Sequence, residues 1–124
     1  MLSRKLPNYL RTWRKRSGLS QKEVAFLLGC RYANKVSRYE RFTRQPNLET
    51  VFACEALFGV PARELFAGMY QKVEETIQQR AQILAEKLNV KKSDRITRWK
   101  LENLTAMTSS RKPEPIHYGV SLNQ

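Results

Sequence analysis

Residues 18–40, GLSQKEVAFLLGCRYANKVSRYE, decide the fold. Ser20 followed three positions later by Glu23 is a helix start in which each residue satisfies the other's backbone N–H. Leu19, just ahead of Ser20, is placed to pack on Val24 as a hydrophobic staple. Val24, Ala25, Leu27 and Leu28 then offer one apolar face, and Gly29 stops the helix in the left-handed conformation that glycine tolerates. Past a short turn, Val36, Tyr39 and Phe42 recur at helical spacing beside Asn34, Lys35, Ser37, Arg38 and Arg41. The stretch therefore predicts two short helices, at 19–28 and about 33–42. The second has an apolar inner side and an outer side of amide, guanidinium and ammonium groups.

Working outward, SQKEVAFLLG (20–29), VSRYE (36–40), PNLETV (46–51) and LFGVPARELF (57–66) occur in an order and spacing that resemble the Cro/repressor family. This is the XRE-type, lambda-repressor-like helix-turn-helix family of DNA-binding proteins, and the resemblance covers roughly residues 6–68. It implies an all-α, five-helix domain whose third helix is the recognition helix. In one respect the chain departs from the pattern. Six residues, Cys30 to Lys35, separate Gly29 from Val36 where the family usually has five, so the turn is longer by one.

The resemblance also implies site residues. Base contacts fall to Asn34, Lys35 and Arg38, with Arg31 and Ala33 beside them. Asn suits adenine, and Arg or Lys suits guanine, in the major groove. Phosphate contacts fall to Gln21, Lys22, Tyr32, Ser37, Arg41, Thr43 and Arg44, although a merely solvated loop explains Thr43 and Arg44 nearly as well. Arg14, four before Gly18, stands where the family often places an arginine paired with a glutamate at the end of the recognition helix, here Glu40. The alternative for Arg14 is a solvated surface side chain. Tyr32 occupies a position where relatives often carry a capping Ser or Thr. Asn34 is the other candidate cap, and capping would commit its side chain to backbone.

Charge agrees with a polyanion partner. The chain carries 23 Lys and Arg against 11 acids, a net +12; residues 1–45 hold 12 of those bases and only Glu23 and Glu40, a net +10. The positive field thus belongs to the part that carries the motif. Cys30 and Cys54 stand far apart with a single His, so neither a metal site nor a disulfide framework is expected, and no cofactor is implied. No apolar run approaches membrane-spanning length and no signal-peptide pattern opens the chain, so the expected compartment is the cytoplasm.

The remaining segments follow in order. Leu6, Tyr9, Leu10 and Trp13 mark the buried stripe of a first helix from about Pro7 to Ser17, with Pro7 in its first turn. Asn47 can cap a helix from Leu48 to Phe58, with Leu48, Val51, Phe52 and Leu57 inward and Gly59 after it. Val60-Pro61 opens a short fifth helix. Tyr70, Val73, Ile77, Ala81, Leu84 and Leu88 then recur at near-heptad spacing, one long amphipathic helix from Met69. Ser93 is placed to cap another helix, from Asp94 to about Met107. We divide the chain into a DNA-binding domain (1–68), a helical dimerisation region (69–107) using Tyr70, Val73, Ile77, Leu84 and Leu88, and a linker and tail (108–124). In the tail Ile116, Tyr118, Val120 and Leu122 alternate with polar residues, which suits either a short strand or a disordered end.

The sequence therefore predicts a transcriptional regulator, most simply a repressor, bound to double-stranded DNA at an inverted repeat as a homodimer. The alternative is a DNA-binding antitoxin or adaptor whose residues 108–124 bind a partner protein. An enzyme is not expected, because no nucleophile–base constellation and no phosphate loop are present.

Overall fold

The computed structural model describes residues 5–90 and 94–108, and among these it holds seven helices and no strand. The fold is all-α, as the sequence predicts. Contacts divide the chain into two compact units, one ending at Val73 and the other beginning at Glu74.

Helix α1, Leu10–Arg16, starts later than its apolar pattern suggests. Pro7 is outside it. The Asn8 side-chain oxygen accepts the Leu10 N–H at 3.0 Å, closing a turn ahead of the helix. The stretch before that turn is pinned further along the chain, because the Tyr9 N–H donates to the Leu65 carbonyl and the Gly68 N–H to the Leu6 carbonyl. Leu10 is buried and Trp13 packs at the core edge, but Leu6 stays exposed, contrary to the expected stripe.

Helix α2, Gln21–Leu27, has the expected capping box: the Ser20 hydroxyl accepts the Glu23 N–H at 3.0 Å and the Glu23 carboxylate accepts the Ser20 N–H at 2.8 Å. Val24 and Ala25 are buried with Val36, and Leu19 packs on that cluster. Leu27 is exposed. A helix turns by about 100° per residue, so a face centred on Val24, Ala25 and Leu28 leaves Leu27 beyond its edge.

Helix α3, Ala33–Glu40, buries Val36 and Tyr39, and ends two residues before Phe42. Phe42 was expected on the inner face; it lies instead beyond the helix end, exposed, with φ of 64°. Its N–H donates to the Tyr39 carbonyl and the Thr43 N–H to the Arg38 carbonyl, the paired bonds that close a Schellman helix end. The ends of α1 and α2 use the same two bonds, but with Gly18 and Gly29 at the left-handed position. A side chain there costs ~1–2 kcal/mol.

Helix α4, Leu48–Phe58, is capped by Asn47, whose side-chain oxygen accepts the Thr50 N–H at 2.8 Å. Its phase is set by Cys54, which is 1% exposed, so Val51, Leu57 and Phe58 are half-buried while Leu48 and Phe52 turn outward. The inward expectation for Leu48 and Phe52 is thus corrected. Burial, and secondarily Cys30, pushes the Cys54 thiol up to about 11, so it remains a protonated core side chain at neutral pH. Helix α5, Ala62–Leu65, delivers Leu65, fully buried, and Phe66 beside it. Leu28 and Phe58 touch both buried clusters of this unit.

Helix α6, Ala67–Val90, is the long helix the spacing predicts, and α7 spans Arg95–Thr108. In the second unit Ala81 and Leu88 of α6 pack with Leu104 of α7, with Ala85 and Leu101 around them, so the two helices form a hairpin. Asp94 supplies a side-chain cap for α7, accepting the Thr97 N–H at 2.7 Å; the expected cap, Ser93, lies outside the described residues. That backbone bond, followed by the Thr97 hydroxyl, holds the Asp94 carboxyl below its usual 3.8. Of the expected dimerisation residues, Leu88 is covered by α7 within the chain, whereas Tyr70, Val73, Ile77 and Leu84 are about half exposed. The alternating segment 116–122 lies outside the described residues. No helix of the described residues is long and apolar enough to cross a membrane.

Candidate nucleic-acid interface

The position of α3 is fixed from within by one carboxylate. Arg14 on α1 meets Glu40 at the end of α3 through two contacts, Nε to Oε2 at 2.6 Å and Nη2 to Oε1 at 3.2 Å. Its remaining nitrogen, Nη1, donates to the Leu19 carbonyl at 3.0 Å, just ahead of α2. Gln21, the first residue of α2, donates its amide to Glu40 Oε1 at 3.0 Å. The Glu40 side chain is 3% exposed and that of Arg14 12%, so the pair works largely away from water. One buried anion therefore ties together the three helices that set the angle of α3. The pairing proposed for Arg14 and Glu40 is present in the geometry.

Asn8, which sequence reasoning did not single out, adds a second tie. Buried itself, it donates its amide to the Tyr39 carbonyl at 3.0 Å while accepting from Leu10. The available signal was an Asn two residues before a helix start, a residue type that bonds its own backbone at such places. Among the described residues no buried side-chain polar atom lacks a partner.

With its inner side committed, α3 turns a polar side outward. Asn34 and Arg38 are exposed and Ala33 and Lys35 half-exposed. Tyr32 precedes the helix in extended backbone and caps nothing with its side chain. Asn34 is the second helical residue, beyond a capping position, and its amide makes no hydrogen bond among the described residues. The longer turn is thus absorbed by Leu28–Tyr32, before the helix begins. Arg31 lies over the Tyr32 ring at 5.7 Å, both of them exposed.

The residues expected at phosphates separate into two sets. Lys22 and Arg44 are exposed, and their side chains make no hydrogen bond among the described residues. The others are partly engaged within the protein: Gln21 with Glu40, Arg41 Nε with the Ser37 hydroxyl at 3.1 Å, and the Thr43 hydroxyl with the Arg38 carbonyl at 3.2 Å. Gln21 and Thr43 act first on the ends of helices, which the spacing alone does not reveal.

Residues 10–65 match a protein family described as helix-turn-helix. No curated protein and no solved structure matched the chain.

Proposed function

Because residues 10–65 are a helix-turn-helix domain of the Cro/repressor (XRE) type, we propose that this DNA-binding regulator is a repressor acting by occupancy, bound as a homodimer to an inverted repeat. The observation that carries the reading is the buried Arg14–Glu40–Gln21 clamp behind an outer face of Asn34, Lys35 and Arg38. A helix held that rigidly meets a base edge without first losing its own freedom. Arg38 takes guanine through O6 and N7, Asn34 takes adenine, and Lys35 a neighbouring acceptor. Lys22, Arg41 and Arg44, with the backbone amides at the start of α2, hold phosphates and set the register.

Most of the affinity then comes from neutralised phosphates and falls steeply with salt, while the few base contacts give the sequence preference. The half-exposed Tyr70, Val73, Ile77 and Leu84 support a two-fold pairing through the C-terminal helices, which matches the symmetry of an inverted repeat. Selection of bound fragments from a random DNA library tests the reading. Two oppositely oriented half-sites, centred about one helical turn (~34 Å) apart or a multiple of it, are expected. Enrichment of a lone half-site contradicts the dimer, and no enrichment at all contradicts specific binding.

A further inference from the structure

The start of α6 is held by a segment distant in sequence. Gly68 is the second residue of that helix, so its N–H is one of those that no carbonyl of the helix itself can accept. It donates instead to the Leu6 carbonyl at 2.8 Å, and the Met69 N–H to the Pro7 carbonyl at 3.4 Å. The same short segment closes on itself, because the Tyr9 hydroxyl accepts the Leu6 N–H at 3.1 Å. Its other bonds run to α5 and α3: the Tyr9 N–H to the Leu65 carbonyl at 2.7 Å, and the Asn8 amide to the Tyr39 carbonyl at 3.0 Å. Residues 6–9 are thus a strap bonded both to the end of the recognition helix and to the beginning of the long one. All of it lies within the unit that ends at Val73.

Gly68 makes room for the strap. Unlike Gly18, Gly29 and Gly59, it has no positive φ, so its backbone freedom is not what the position uses. Alanine is the better helix former in such a place. A Cβ there would stand within 2.6 Å of the Lys5 carbonyl oxygen and closer still to that of Leu6, and both are backbone atoms. A side chain at 68 therefore lifts residues 5–7 off the helix, and glycine is what permits the approach.

We propose that Gly68 and the strap are positioning elements for the binding of paired half-sites: they hold the first turns of α6 at a set place on the recognition unit, so that pairing of two chains fixes the separation of their two α3 helices. The inference rests on the homodimer reading. Tyr70 and Val73, 47% and 54% exposed, stand on those first turns and are the part of the pairing surface that the strap aims. Half-sites on a duplex lie at a fixed separation. A pair of recognition units that swing on their α6 helices meets both only after losing that freedom, which weakens binding.

Full-length Gly68→Ala tests it on three kinds of duplex: the selected repeat, the repeat with its spacer lengthened or shortened, and a single half-site. The unaltered chain should lose affinity at every altered spacer. For Gly68→Ala, half-site affinity should stay within about twofold while affinity for the repeat falls roughly tenfold or more and depends less on the spacer. A substitution that only weakened the fold would lower half-site and repeat binding alike and keep the shape of the spacer profile. Asn8→Ser breaks the strap at its other end, since a hydroxyl can accept the Leu10 N–H but is too short to reach the Tyr39 carbonyl. It should flatten the profile in the same way, and it decides the matter if the alanine chain does not fold. An unchanged profile overturns the proposal and leaves the homodimer standing. If the unaltered chain binds a lone half-site as tightly as the repeat, the homodimer reading falls and the proposal with it.

Discussion

The α1–α5 unit and the α6–α7 hairpin face the same task, covering the apolar stripes of short helices, and complete it to different degrees. The first buries Leu10, Val24, Ala25, Val36, Tyr39, Cys54, Val60, Leu65 and Phe66, and adds a buried ion pair, with no buried side-chain polar atom of the described residues left without a partner. The described hairpin buries only Ala81, Leu88 and Leu104 among its apolar residues, and leaves Ile77, Leu84, Ile96 and Trp99 about half exposed or more. Fully covering such a side chain contributes ~1.5–3 kcal/mol, so the hairpin leaves stabilisation unused that a second surface can recover. A unit locked from inside suits a rigid target such as a duplex. A unit left open suits completion by a partner.

The largest expected effect breaks the first half of that contrast. Glu40→Ala strands the Arg14 guanidinium and releases Gln21, and should lower stability by ~3–5 kcal/mol. DNA affinity should fall with it, because α3 loses its tie to α1 and α2. Thermal melts of Arg14→Ala, Glu40→Ala and the double variant decide the point. Additive losses would mean that the pair is not coupled.

A smaller effect sharpens the comparison inside the locked unit. Phe42 holds the left-handed position that Gly18 and Gly29 hold at the ends of α1 and α2. Both Phe42→Gly and Phe42→Ala remove the ring, so their difference isolates the backbone. The Gly variant should be more stable than the Ala variant by ~1 kcal/mol, the reverse of the ordinary ranking in a helix. Equal denaturation midpoints would place the strain elsewhere.

The smallest effect belongs to the hairpin. Asp94 has its carboxyl pKa lowered by the Thr97 N–H, so its contribution is fully present well above 3.8 and is lost as pH falls through the lower, folded-state value. Helicity of the full chain should therefore decline on acidification below that range, and Asp94→Asn should remove this component of the decline. An identical acid profile for the Asn variant would contradict the role given to the cap.

What was legible in the sequence follows from how local each signal is. The Ser20–Glu23 box, the Asn47 cap and the glycines at 29 and 59 act within a few residues, and the structure has each of them. Inward-facing sets were less legible, because a helix rich in apolar residues does not declare its phase. Apolar spacing places Leu27, Leu48 and Phe52 inward, and only the packing around Cys54 and Val24 shows otherwise. Asn8 and Gln21 escaped as ties because their partners lie 31 and 19 residues away. The family pattern carried Arg14 and Glu40, a pair 26 residues apart that no local rule would join.

The central claim is that the outer side of α3 reads bases in the register set by the clamp. Parallel selection from one random DNA library with the unaltered chain and with Arg38→Ala tests it most directly. The account predicts that the variant keeps the motif except at one position in each half-site, where preference relaxes, with binding to the original site weaker by ~1–3 kcal/mol. Arg44→Ala, in the same experiment, should weaken all sequences alike. A motif left unchanged by Arg38→Ala would contradict the account.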